Sequence, residues 1–176
     1  MKKITIDVPE GKKLELRGNT YIHVDEPKDV RERIKTFEDA CKELGDNNPL
    51  VFEYNNVIGT SKNTETYLKL RIICAALNEG WEPQFKKDEY RYYPWFELMT
   101  KEEIDNMDEE KRSRVVCRSS SVAGASGGLV CASAVGVSSG ACAGYASRLE
   151  IRDRELAEYA GNQFADIWTD FVFKVR

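Results

Sequence analysis

Between Ser119 and Ser147 the chain reads SSSVAGASGGLVCASAVGVSSGACAGYAS, a window without Lys, Arg, Asp, Glu, Gln, Asn, Met or Trp in a protein that is 32% charged. Six of the 12 glycines fall inside it. Side chains this small bury little apolar surface, so the window cannot build a core of its own and must be carried by the rest of the chain. A flexible linker is the simplest reading of such a composition. A linker separates domains, however, and only one helical pattern with a short tail follows this window. Gly124, Gly127, Gly128, Gly136, Gly140 and Gly144 have no fixed period. They suit tight turns between short strands, such as Gly128 to Ala132 and the run ending at Arg148 to Ile151. The window is therefore expected inside the fold, alternating strand and loop.

The flanking sequence supplies the framework, and 176 residues suffice for one domain with a small appendage. Ile4, Ile6 and Val8 alternate with polar residues, Pro9-Glu10-Gly11 offers turn chemistry, and a second alternating run spans Leu14 to Val24. That pattern predicts a β-hairpin or short meander. Asp29 is placed to cap a helix running to Gly45, with Ile34, Phe37, Cys41 and Leu44 on one face. Asp46 to Ser61 reads as loop, with a helical turn at Leu50 to Tyr54. A second helix from Thr64 to Glu79 carries Tyr67, Leu68, Ile72, Ala76 and Leu77.

Trp81 to Met99 holds Trp81, Phe85, Tyr90, Tyr92, Tyr93, Trp95 and Phe96, a density that fits core strands; a sugar-stacking platform is the sharper alternative. Thr100 and Glu103 form a capping box opening an acidic helix over Lys101 to Glu110, and the charged run Asp108 to Arg114 reads as a solvated connection. Arg114 to Arg118 is a strand candidate. Asp153 caps a closing helix with Leu156, Ala160, Phe164, Ile167, Trp168 and Phe171 along one stripe.

Several chemistries lack their residues. A net charge of −4 gives no basic field for nucleic acid. No run approaches the ~20 apolar residues of a membrane span, and the first residues do not form a signal peptide, so synthesis in the cytoplasm is expected. Cys41, Cys74, Cys117, Cys131 and Cys142 include no C-x-x-C pair, and His23 is the only histidine, which disfavours zinc and a histidine-based nucleophile. His23 reads as a structural strand residue, and Cys41 and Cys74 as thiols on apolar helix faces. No phosphate loop of the G-x-x-x-x-G-K-[ST] or G-x-G-x-x-G type is present, and no cofactor is expected.

The arrangement RVVCRSSSVAGASGGLVCASAVGVSSGACAGYASRL, placed between a strand and a final strand-plus-helix, resembles the variable region of diversity-generating retroelement target proteins of bacteroidete phages and prophages. That family has a C-type lectin-like fold. Its adenine-bearing codons are randomised so that Lys, Glu, Gln, Met and Trp cannot arise, and the window obeys this exclusion throughout.

The resemblance covers about Tyr67 to Phe173 and is strongest at Tyr90 to Phe96 and Arg148 to Phe164. It implies an α+β, C-type lectin-like domain over 29–176, with a variable region at about 117–149. An N-terminal hairpin or attachment segment would occupy 1–28. The implied variable, ligand-facing positions are Ser121, Val122, Gly124, Ser126, Cys131, Ser133, Val135, Gly136, Ala141, Cys142 and Tyr145. Scaffold roles fall to Gly127, Gly128, Leu129, Arg148 and Leu149. Better-known members are longer, or carry asparagine and aromatic residues in the window, where this chain has small ones.

The function so implied is non-enzymatic: a phage or prophage ligand- or receptor-binding protein, virion-associated. Its partners would be a protein or glycan on a host or other cell surface and other virion proteins, with no nucleic acid and no membrane insertion. Lectin-like architecture does not itself imply calcium, because the window has no carboxylate or side-chain amide. Two other readings stand beside this one. The window could be a subunit-packing surface of a phage structural or assembly protein, or carboxylates such as Asp88 or Glu97 could serve an enzyme near the aromatic cluster.

Overall fold

In a computed structural model the chain is described over residues 6–9, 11–25, 27–113, 115–117, 127–139 and 148–173. Of residues 13, 98, 101, 116, 117, 127–133 and 173 the backbone alone is described. The architecture is α+β: eight helices and two small antiparallel sheets among the described residues.

The hairpin forms over the second alternating run and just beyond both its ends, as β1 (Lys12–Arg17) and β2 (Thr20–Asp25) in register Arg17↔Thr20 to Lys12↔Asp25. Gly18, at φ 63°, takes the first central position of a two-residue reversal, where a side chain would be strained. Ile6 to Pro9 carry no strand, contrary to the expectation for Lys3 to Val8; residues 1–5 lie outside the described set. The Pro9 carbonyl accepts from the Lys12 amide at the start of β1 (3.1 Å).

The single helix expected from Asp29 to Gly45 is two. Asp29 caps α1 (Val30–Arg33), and Thr36 then opens α2 (Phe37–Leu44) with a reciprocal box, its hydroxyl accepting from the Asp39 amide while the Asp39 carboxylate accepts from the Thr36 amide. Gly45 at φ 81° ends α2. Asp46 to Ser61 is not mainly loop: Asn48 caps and Pro49 begins α3 (Pro49–Val57), since proline at the first helical position sacrifices no hydrogen bond.

Ser61 caps α4 (Lys62–Leu77), whose Leu68, Leu70, Ile72, Ile73, Cys74, Ala76 and Leu77 are all buried. A helix apolar on more than one side needs cover on more than one side. It packs against α2 and α3, and against the C-terminal helices introduced below.

Residues 81–90 form no strand; β3 is Arg91–Thr100. The Thr100–Glu103 box opens α5 (Lys101–Asp105), shorter than expected, and the charged run is itself helical as α6 (Glu109–Ser113). Then come β4 (Val115–Cys117) and β5 (Gly127–Val137), longer than the Gly128 to Ala132 expected. The closing helix is α7 (Arg154–Gln163), capped by Asp153, and α8 (Ala165–Phe173), which divide at Phe164. No helix among the described residues is long and apolar enough to cross a membrane.

The larger sheet has the order β3-β5-β4, all antiparallel, and Ile151 extends it by bridging Tyr92 in both hydrogen-bonding directions at 2.9 Å. Helix α7 lies across β3 and β5, and α8 reaches β4 and α4. Between them the core closes around Ile34, Ile72, Ile73, Leu77, Ala134, Leu149, Ile151, Ala157, Ala160 and Trp168.

Two polar connections hold the last strand segment to α4. Asn78, 5% exposed, donates from Nδ2 to the Glu150 carbonyl (2.8 Å) and accepts at Oδ1 from the Arg152 amide (3.0 Å). Outside it, Glu79 receives Arg33 (2.5 Å) and Arg152 (2.6 Å), and Arg33 also binds Glu43 (2.9 Å). Both arginine and both carboxylate side chains are at most one-third exposed, so this network is shielded better than a surface pair.

Candidate functional site

The described part of the small-residue window is the central strand of the larger sheet, and pairing sets which way each residue faces. Side chains directly opposite in an antiparallel pair share a face. The pairs Tyr92↔Gly136, Pro94↔Ala134 and Phe96↔Cys131 lie toward the helices, because Ala134 is in the core and Phe96 sits 6.2 Å from Trp168. The pairs Arg91↔Val137, Tyr93↔Val135, Trp95↔Ser133 and Glu97↔Val130 lie on the opposite face.

The change of phase between Trp95 and Phe96 is a β-bulge at Ala132, which has no partner on β3. A bulge shifts the strand beyond it by one register position, so position 131 falls on the face opposite to the one that simple alternation from position 133 would give it.

The outward face is closed at one end and open at the other. Arg91 is buried, with its guanidinium carbon 4.7 Å from the Phe85 ring centre. Tyr93 is buried and donates from its hydroxyl to buried Glu150 (3.2 Å). Further along, Trp95 is 47% exposed and Glu97 is exposed, so the face is open from Trp95 onward. Exposed Phe85 and Tyr90 stand at the closed end. The aromatic segment is therefore divided between core, cover and surface, whereas its density alone pointed to core.

Across the loops, Asp88 and Ser139 are locked together: the Asp88 amide donates to Ser139 Oγ (3.0 Å), and that hydroxyl donates to Asp88 Oδ1 (3.2 Å). Phe85, Asp88 and Ser139 all have positive φ (53°, 67° and 53°), a costly conformation for residues other than glycine. The pairing consolidates the turn at the end of β5. It also keeps Asp88 away from Glu97, since the six steps from Arg91 to Glu97 alone span about 20 Å of strand. These two carboxylates do not converge.

On the helical side, Gly136 lies under Tyr92. A Cβ at Gly136 would come within 2.8 Å of Tyr92 Cε1 and 3.3 Å of Tyr90 Cδ1. The two tyrosine rings stack at 6.1 Å, and Arg154 lies 5.9 Å over Tyr92 while donating to the Ala134 carbonyl (3.0 Å). A glycine inside a strand marks close approach of another group, which is the signal that points to this contact.

Of the anticipated ligand-facing positions, Ser133 and Val135 share the outward face, while Cys131 and Gly136 are on the helical one. Ser121, Val122, Gly124, Ser126, Ala141, Cys142 and Tyr145 lie outside the described residues. The two segments that carry them leave β5 from opposite ends, about 33 Å apart for an 11-residue strand. Among the anticipated scaffold positions, Gly127, Gly128 and Leu129 pair with Thr100, Met99 and Leu98, and Leu149 is buried with its carbonyl 3.6 Å from Cys74 Sγ. Arg148 is exposed at φ 61°.

His23 is exposed on β2 opposite Leu14, on a hairpin that, among the described residues, no other element covers extensively. Cys74 is buried and Cys41 half-buried; burial raises the thiol pKa of both. Among the described residues no group of three or more His, Cys, Asp or Glu is disposed to hold a metal. No family model matches the chain, and no curated protein or solved structure matches it either.

Proposed function

We propose that this chain is a non-enzymatic ligand- or receptor-binding protein of a phage or prophage, displaying a changeable surface on a rigid scaffold. The observation that carries the reading is the position of the charge-free window. Its described part is the middle strand of the larger sheet, with one face against α7 and the other opening beside Trp95 and Glu97. A linker would not supply the middle strand of a sheet. A strand with one anchored and one open face can change its outward side chains while backbone pairing and core stay fixed. The lectin-like core belongs to the same proposal, supported by a small antiparallel sheet with helices on one face and by the late return of Ile151 to pair with Tyr92.

Small side chains on β5 leave the indole of Trp95 as the large apolar contact on the open face, and tryptophan is among the residues that most often dominate binding energy. The partner is a protein or glycan on a host or other cell surface, and other virion proteins attach through the N-terminal hairpin. The genetic arrangement is the test. DNA near the coding sequence should contain a near-copy of the segment encoding residues 117–149, differing from it chiefly where the copy has adenine. A flanking region without such a copy overturns the proposal.

A further inference from the structure

Simple alternation along β5 groups Cys131, Ser133 and Val135 on one face and leaves Val130 on the other. The bulge at Ala132 changes that grouping. Beyond it, Val130 opposes Glu97 and shares the outward face with Ser133 opposite Trp95 and Val135 opposite Tyr93. Cys131 opposes Phe96, whose ring meets Trp168 of the core, and Gly136 opposes Tyr92.

At Gly136 the division has a steric cause. The nearest atom to an added Cβ would be Tyr92 Cε1 at 2.8 Å, closer than real Cβ contacts come. The ring has little freedom to retreat. Tyr90 stacks on it, Arg154 lies over it, and its own backbone bonds Ile151 through both amide and carbonyl. Arg154 is held in turn by the Ala134 carbonyl. A side chain at 136 must therefore disturb β3, the Ile151 bridge or the start of α7.

We infer that the specificity-determining positions of β5 are Val130 and Ser133, grouped by the bulge opposite Glu97 and Trp95 at the open end of the face, and that Cys131 and Gly136 are fixed scaffold. This rests on the binding reading above and adds Val130, which alternation alone assigns to the wrong face.

The test is saturation mutagenesis of 130, 131, 133 and 136 in the full chain displayed on yeast, read as the protease concentration that cleaves half of the molecules. Replacements at 130 and 133 by Ser, Thr, Asp, Tyr or Phe are expected to shift that concentration by less than about threefold, the range of ordinary surface changes. At 131 and 136, bulky replacements are expected to lower it by about tenfold or more, as overpacking does. Gly136→Val should recover part of its loss when combined with Tyr92→Ala.

Equal tolerance at 136 and 133 would overturn the assignment, as would intolerance at 130 and 133 or the absence of any recovery with Tyr92→Ala. These outcomes do not depend on the flanking DNA. A missing near-copy removes the binding reading and leaves the tolerance pattern intact, whereas a reversed tolerance pattern removes this division alone.

Discussion

Asn78 gives the sharpest energetic prediction. Its side chain binds two backbone groups of the segment that brings Ile151 to β3: the Glu150 carbonyl at 2.8 Å and the Arg152 amide at 3.0 Å. Asn78 and Glu150 are each 5% exposed, so water has poor access to replace the first bond. Asn78→Ala leaves a buried acceptor and a partly buried donor unpaired, each costing ~1–3 kcal/mol, the lower part of the range suiting the more accessible Arg152 amide. The sum is about 3 kcal/mol. For a protein of this length that corresponds to a fall in Tm of about 6–12 °C.

Urea denaturation followed by tryptophan fluorescence measures the free energy, and a thermal melt by circular dichroism measures the shift. Asn63→Ala, on the exposed first turn of α4, serves as control and should stay within about 0.5 kcal/mol of the parent. An Asn78→Ala protein indistinguishable from that control would refute the claim that this side chain clamps the C-terminal strand segment to α4.

Other expectations follow from the same structure. Asp29 is held at a pKa of about 2 by hydrogen bonds from the Arg31 side chain and backbone, below its usual 3.8. Because the folded value is depressed, its ionic contribution is complete above about pH 4 and disappears as pH falls toward 2. Asp29→Asn keeps the cap, so its stability deficit relative to the parent should be constant at neutral pH and narrow across that acid window. Glu79 is likewise depressed by its hydrogen bonds to Arg33 and Arg152, so the deficit of Glu79→Gln, about 1 kcal/mol at pH 7, should shrink below pH 4.5 in denaturant titrations.

Iodoacetamide should label Cys41 in the native protein at a measurable rate and Cys74 only on unfolding, as read by peptide mass spectrometry, because burial both raises the Cys74 thiol pKa and blocks access. Removing residues 11–25 should change the urea midpoint by less than the equivalent of about 1 kcal/mol, since among the described residues no other element packs extensively on the hairpin.

Much of the framework is legible because its signals are local. Thr100-x-x-Glu103 and Asp153 mark helix starts whose caps form as their residue types dictate. The apolar content of Tyr67 to Leu77 marks the central helix. The errors occur where a local signal is overridden or cannot be seen. Apolar spacing continues from Ile34 to Leu44, yet Thr36 and Asp39 restart the helix between them. The charged run after Asp105 looks like connection, yet Asp108 caps a turn of helix through the Lys111 amide (2.8 Å).

The candidate site is less legible still. Composition marks the window because the absence of charge is visible in one dimension. The facing of its residues depends on one unpaired residue, Ala132, and on which aromatics lie across from it. Neither has a signature in the sequence of β5. Gly136 illustrates the ambiguity: among many small residues it reads as one more permitted side chain, and only the ring of Tyr92 gives its lack of a Cβ a structural reason.

The most direct test of the central claim is long-read sequencing of this coding segment across many clones from a native population. The account predicts substitutions confined to the window, falling at adenines of a near-copy, never encoding Lys, Glu, Gln, Met or Trp, and on β5 concentrated at 130 and 133. A window that is invariant across clones, or that varies no differently from α4, would contradict it.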